Sequence, residues 1–165
     1  MQLTSTAFSQ AEPIPRRFSG EGEDTSPPLF CSNLPAGTKS LALLCEDPDA
    51  PKLPHGEHPF VHWLLFNLPS STSMIPEGIP HGRQIEEPIP CEQGLNSMGR
   101  LGYNGPYPPE GHGVHRYRFR LFALSRMLYL PGRPEKQRVL KEMAGAILAE
   151  AEDRKSTRLN SSHGY

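Results

Sequence analysis

The sequence lacks a cysteine framework, a long apolar run and an excess of charge of either sign. Its three cysteines, Cys31, Cys45 and Cys91, are an odd set with no C-x-x-C pair. That argues against a disulfide scaffold and against a structural zinc site. No stretch reaches the roughly 18–20 apolar residues of a membrane span. The opening MQLTSTAFSQAEPIPRRF carries neither a basic segment nor the apolar core of a signal peptide. A cytoplasmic protein without membrane insertion is therefore expected. The net charge is −1 and the pI about 6.7, which gives no electrostatic case for nucleic acid or an anionic membrane. Nucleophile-elbow, phosphate-loop and dinucleotide fingerprints are also missing.

What the chain has in abundance is proline, 19 of its 165 residues, joined by 15 glycines. Prolines spread at this density interrupt helices and keep strands short, so a loop-rich, mostly β domain is expected. KSLALLCED and FVHWLLFNLP are nearly continuous apolar runs, as buried strands are. VHRYRFRLFALS alternates and reads as a third strand. Between the second and third lies a long irregular stretch, 70–113, of the kind that usually carries function. In RPEKQRVLKEMAGAILAEAED, Leu140, Met143, Ala144, Ile147 and Ala151 recur at three- and four-residue spacing, which predicts a C-terminal helix opened by Pro134. The last stretch, RKSTRLNSSHGY, has no apolar period. One domain over 1–152 is expected, with 153–165 a non-native or disordered tail.

Residues two apart in a strand share a face. This groups His115, Tyr117, Phe119 and Leu121 against Arg116, Arg118 and Arg120. It groups Phe60, His62, Leu64 and Phe66, and it aligns Leu43, Cys45 and Asp47. Each apolar face ends in polar residues: Asp47, His62, and His115 with Tyr117. Converging ends would make a small pocket of one carboxylate, two imidazoles and a phenol. Imidazole and phenol donors suit a small oxyanion, and the carboxylate suits an ammonium group. A phosphate ester fits both, with backbone donors from NGPYPPEGHG. Ordinary strand histidines are the other reading of these residues.

HGEHPFVH also offers His55, His58 and His62 near Asp47 and Asp49, a set able to bind zinc or iron. Pro54 and Pro59 break that segment, however, so no helix presents the histidines together. An Asp–His acid–base pair is conceivable without an evident nucleophile. A metal-dependent or Asp–His hydrolase is thus the alternative to a binding protein.

SLALLCEDPDAP, FVHWLLFNLP and GYNGPYPPEGHGVHRYRFRLFAL resemble, in that order, the phosphatidylethanolamine-binding protein family, which includes Raf kinase inhibitor protein. The opening LTSTAF…IPRRFSGEGEDTSPPL is similar to that of its compact prokaryotic-type members, and the resemblance spans residues 2 to about 152. It implies a large antiparallel sheet packed on a smaller one, with peripheral helices, and a shallow anion pocket near one end. It implies Asp47, His62, Pro109, His115 and Tyr117 as ligand-binding residues, and Asp49, Pro51, Gly113 and Arg116 as scaffold of the same motifs. Asp49 is expected to pair with Arg116, and the Ala50–Pro51 bond to be cis. The implied function is non-catalytic capture of a phosphorylated small molecule, a phospholipid head group or a phosphorylated segment. Neither metal nor cofactor is implied. A protein kinase or protease is the implied partner, and a homodimer the implied assembly. Tyr107 departs from the family by replacing a frequent cysteine, and Ser97 by replacing a frequent acid.

Overall fold

The run SLALLCED is extended and buried along all eight residues, because an apolar layer covers each of its faces. The computed structural model describes residues 1–5, 7, 14–50, 59–107 and 114–158, with the backbone alone for 114, 115 and 154–158. In chain order the elements are β1 (Gln2–Thr4), a 3-10 turn (Arg16–Phe18), β2 (Leu29–Ser32), β3 (Ser40–Asp47), β4 (Phe60–Pro69), β5 (Met74–Ile75), β6 (Gln84–Ile85), β7 (Cys91–Gln93), β8 (Val114–Leu124), α1 (Lys136–Met143) and β9 (Ile147–Arg158). A six-stranded antiparallel sheet has the order β6-β7-β4-β3-β8-β9, and a smaller sheet has the order β1-β2-β5. The mostly β fold with a large sheet on a smaller one is as expected.

One apolar layer joins the two sheets. Leu3, Leu29, Cys31 and Ile75 from the small sheet meet Leu43, Cys45, Trp63, Leu65, Phe119 and Leu121 from the large one. The Trp63 indole is fully buried there and donates from Nε1 to Gln93 Oε1 at 2.8 Å. The opposite face of the large sheet carries Ala42, Leu44, Val61, Leu64, Phe66 and Phe122. Leu128, Leu130, Val139 and Met143 cover it, so α1 docks there by one apolar side.

Strand parity places His62 with Leu64 and Phe66, and here the structure differs. Cys45 pairs with Trp63 but Glu46 pairs with Val61, so β4 carries one extra residue at His62. This β-bulge breaks the alternation. Leu64 and Phe66 stay on the α1 face. Trp63 faces the small sheet, and the His62 ring meets Tyr117 of that same layer. A second register shift falls between Leu41 and Leu43, near Asn67, which has φ +54°. The Asn67 side chain there bonds both the N–H and the C=O of Leu128 at 2.8 Å, fixing the loop that covers Phe66.

The expected C-terminal helix is shorter than its pattern. α1 ends at Met143, and Gly145 takes φ +81°, a left-handed turn that stops the helix. The chain then pairs with β8 from Ile147 onward. ILAEAED also alternates with a period of two, and that period wins. Ala149 and Ala151 pack on the inter-sheet layer, while Glu150 and Glu152 bond Arg120 and Arg118. β9 continues to Arg158, opposite Val114, so the backbone of 153–158, read in sequence as tail, is strand. Residues 159–165 lie outside the described residues, as does the Ala50–Pro51 bond.

Beneath α1 lies a buried ion cluster. Glu46 Oε1 accepts from Arg120 at 2.9 Å, and Oε2 accepts from Lys136 at 3.2 Å. The side chains of Glu46 and Lys136 are 3% and 6% exposed. Glu46→Gln leaves the buried ammonium short of a counter-charge and is expected to cost about 3 kcal/mol, read as a lower urea midpoint. The three cysteines are all buried. Burial raises the thiol of Cys31, raises that of Cys91 to about 12, and, with Glu46 and Asp47 adding to it, raises that of Cys45 well above its ordinary value. Little thiolate exists at pH 8, so a thiol reagent is expected to label the protein only after denaturation.

Candidate functional site

The bulge brings the His62 ring to 5.0 Å from the Tyr117 ring, edge-on at 65°, and to 4.9 Å from Phe60. Asp47 pairs with Phe60 at the end of β3. It follows the Glu46–Arg118 pair by one residue, at the end of the sheet that holds Tyr117. Asp47, His62 and Tyr117 are 1%, 5% and 1% exposed. One carboxylate, one imidazole and one phenol thus gather at one end of the large sheet. The prolines of EDPDAP are partly outside the described residues, but the turn begins with an Asp47 cap: the Asp49 N–H donates to Asp47 Oδ1 at 2.7 Å.

Asp49 and Arg116 are paired. Arg116 donates from its backbone N–H, Nε and Nη2 to the two Asp49 oxygens, each at 2.8 Å. The hydrogen bond first, and the Asp49 charge second, raise the guanidinium above its ordinary value. The planar fork ties the turn after β3 to the start of β8. His115 lies in β8 opposite Thr157, with its side chain outside the described residues. Pro51, Pro109 and Gly113 lie outside them as well. So do His55 and His58 of the conceivable metal set. Among the described residues no three His, Cys, Asp or Glu side chains are placed to hold a metal ion.

The wall beside His62 includes the start of the loop NGPYPPEGHG and Ser97, which sequence reasoning named without their partners, and residues 18–24 and Tyr103, which it did not single out. His62 Nδ1 lies 2.8 Å from the Asn104 carbonyl oxygen, and the Asn104 N–H donates to His62 O at 3.1 Å. A carbonyl oxygen only accepts, so Nδ1 carries the hydrogen. The segment 103–106 is clasped by residues 18–24. The Tyr103 hydroxyl donates to Phe18 O at 2.5 Å, the Gly20 N–H to Pro106 O at 3.0 Å, and the Gly105 N–H to Asp24 Oδ1 at 2.6 Å. Ser97, on the edge of the bulge, accepts the Val61 N–H at 2.7 Å. GEDTSPPL and GYNGPY are the sequence signals for this wall, visible as motifs but not as partners.

The model of the phosphatidylethanolamine-binding protein family matches residues 4–153. The chain belongs to that family. It is 42% identical over 151 residues to a UPF0098 protein of Methanothermobacter thermautotrophicus, covering 92% of this chain and 94% of that one. Among solved structures it is similar to the phosphatidylethanolamine-binding protein homologue CT736 of Chlamydia trachomatis, with TM-score 0.83, 38% identity, and 96% and 97% of the two chains covered. It is also similar to YbcL of E. coli, described as a member of the mammalian family, with TM-score 0.85, 29% identity and 96% and 98% coverage. In phosphatidylethanolamine-binding protein terms, the bulged histidine, the two aspartates and the Arg116 fork all fall within the matched span.

Gly105 limits what the wall tolerates. A Cβ at this position would lie 2.1 Å from the Phe18 carbonyl oxygen and 2.9 Å from Asp24 Oδ1. At Gly20 the nearest atom, at 2.9 Å, belongs to the exposed Tyr107 ring, which can swing away. Gly105→Ala is expected to cost about 2 kcal/mol and Gly20→Ala much less, compared by thermal unfolding. Equal losses would show that the clasp yields as easily as a surface ring.

Proposed function

We propose that this protein is a non-catalytic binding module for a phosphate ester, with Asp47, His62 and Tyr117 forming one wall of its pocket and Pro109 and His115 completing it. The observation that carries this reading is the meeting of His62 and Tyr117 at the end of the sheet, with Asp47 beside them. The Tyr117 hydroxyl, and His62 once it is doubly protonated, suit the phosphate oxygens, and a carboxylate suits a primary ammonium on the ester. The family's name supports a phosphoethanolamine-type ligand. A phospholipid head group and a phosphorylated side chain share this chemistry. Modulation of a kinase or protease would follow from the second. No described helix is long and apolar enough to cross a membrane, which fits capture of a head group without insertion.

The tautomer of His62 gives the pocket a pH dependence. With Nδ1–H engaged by Asn104, Nε2 donates to an anion only after the ring gains its second proton. Sulfate keeps its charge between pH 5.5 and 7.5, so a change in its affinity reports the imidazoles of the pocket, His62 and His115, and His62→Ala separates the first from the second. Titration calorimetry is expected to show sulfate binding about tenfold tighter at pH 5.5, and phosphoethanolamine binding better than phosphocholine. Comparison of phosphoethanolamine with a phosphoserine peptide separates the two ligand sources. Unchanged heats in His62→Ala and Tyr117→Phe would reject the pocket.

A further inference from the structure

Asp24 stands outside the pocket, partly buried, with φ +56°. Its two oxygens do different jobs. Oδ1 accepts the Gly105 N–H at 2.6 Å, and Oδ2 accepts Asn104 Nδ2 at 2.9 Å. The Asn104 amide cannot turn over to suit another partner, because its Oδ1 accepts from Asn96 Nδ2 at 2.8 Å. Asn96 is fixed in turn by the backbone. Its Nδ2 also donates to Gly102 O at 2.9 Å, and its Oδ1 accepts the N–H groups of Met98 and Arg100 at 2.9 and 3.1 Å. The chain of bonds therefore has one direction, from Asn96 through Asn104 to residue 24. Position 24 must accept twice, through two atoms, and donate nothing. Among side chains of this length only a carboxylate does so.

We infer that Asp24 is a positioning residue: its carboxylate locks the Asn104–Gly105 peptide, and that peptide holds His62 in the Nδ1–H form. The Asp24 carboxylate bonds Asn104 and Gly105 rather than the His62 ring. It acts through the Asn104 carbonyl, which faces His62 Nδ1 at 2.8 Å. Without the lock the carbonyl shifts, the imidazole loses its reason to keep the hydrogen on Nδ1, and the Nε2–H form becomes populated at neutral pH. An anion would then find a donor on Nε2 without acid. The pocket would lose the part of its pH dependence that His62 supplies, keeping that of His115, rather than its ability to bind.

This inference builds on the proposed role of His62, but part of its test does not. Asparagine tolerates left-handed backbone, so Asp24→Asn keeps the turn and presents a donor where an acceptor is required. The exchange Asp24→Asn with Asn104→Asp restores every bond: residue 104 accepts from Asn96 and from residue 24, and residue 24 still accepts from Gly105. Imidazole nitrogen chemical shifts, read by NMR on the full chain at pH 7.5, are expected to show the Nδ1–H form of His62 in the native protein. The tautomer ratio should move about tenfold in Asp24→Asn and return in the exchange. Sulfate affinity should change less between pH 5.5 and 7.5 in Asp24→Asn than in the native protein, and recover its slope in the exchange. A native His62 carrying its hydrogen on Nε2 overturns the inference, whatever the variants do. So does a folded Asp24→Asn with native shifts, or a folded exchange that keeps the altered ratio. Should sulfate fail to bind the native protein at either pH, the proposed function falls, while the nitrogen shifts still decide the role of Asp24.

Discussion

One extra residue in β4 organises the end of the sheet where the polar side chains meet. The large sheet is buried on both faces, so its central strands have no solvent side on which to place a polar group. A regular β4 would deliver His62 to the layer under α1, among Leu64 and Phe66. The bulge at His62 reverses this for a single residue and then lets the apolar alternation resume. Polar chemistry is thereby admitted at the strand's end without opening the core behind it. The ring meets Tyr117 on one side. On the other, its Nδ1 reaches the Asn104 carbonyl, and the clasp of residues 18–24 supports that wall.

Charge is arranged on the same principle. β8 presents alternating arginines to one face, and each of the described ones is matched. Arg116 meets Asp49, Arg118 meets Glu152, and Arg120 meets Glu46 and Glu150. These pairs join β8 to the turn after β3, to β3 itself and to β9. The arginine face of this strand is a set of internal ties. Lys136 extends the set to α1 through the same buried Glu46, so the helix is held by an ion pair as well as by its apolar side.

Much of this was legible in the residues. SLALLCED and VHRYRFRLFAL announce a doubly buried strand and an alternating one, and both faces of β8 follow from parity alone. The gathering of Asp47, His62 and Tyr117 was also foreseen, though by a parity argument that the bulge overrides. Nothing local marks His62 as the extra residue; its place depends on where β3 and β4 come into register. Two periods compete in AGAILAEAED, and a helix is the natural reading of the leucine and alanine spacing. The free edge of β8 and the arginines awaiting Glu150 and Glu152 decide for a strand, and those are tertiary facts. The roles of Asp24, Asn96 and Asn104 were hidden for the same reason. Their hydrogen bonds cross up to 81 residues, and no motif records a partner at that distance.

The chain has a single tryptophan, and the fold has placed it with economy. Trp63 follows the bulged histidine, lies wholly between the sheets, and stands edge-on to Tyr103 at 5.5 Å. Tyr103 is the residue before Asn104. The molecule thus carries one indole, shielded from water, next in sequence to His62 and in ring contact with the neighbour of Asn104. Its emission reports the integrity of that junction free of any second indole, so ligand capture and loss of the fold can be followed optically in the unlabelled protein.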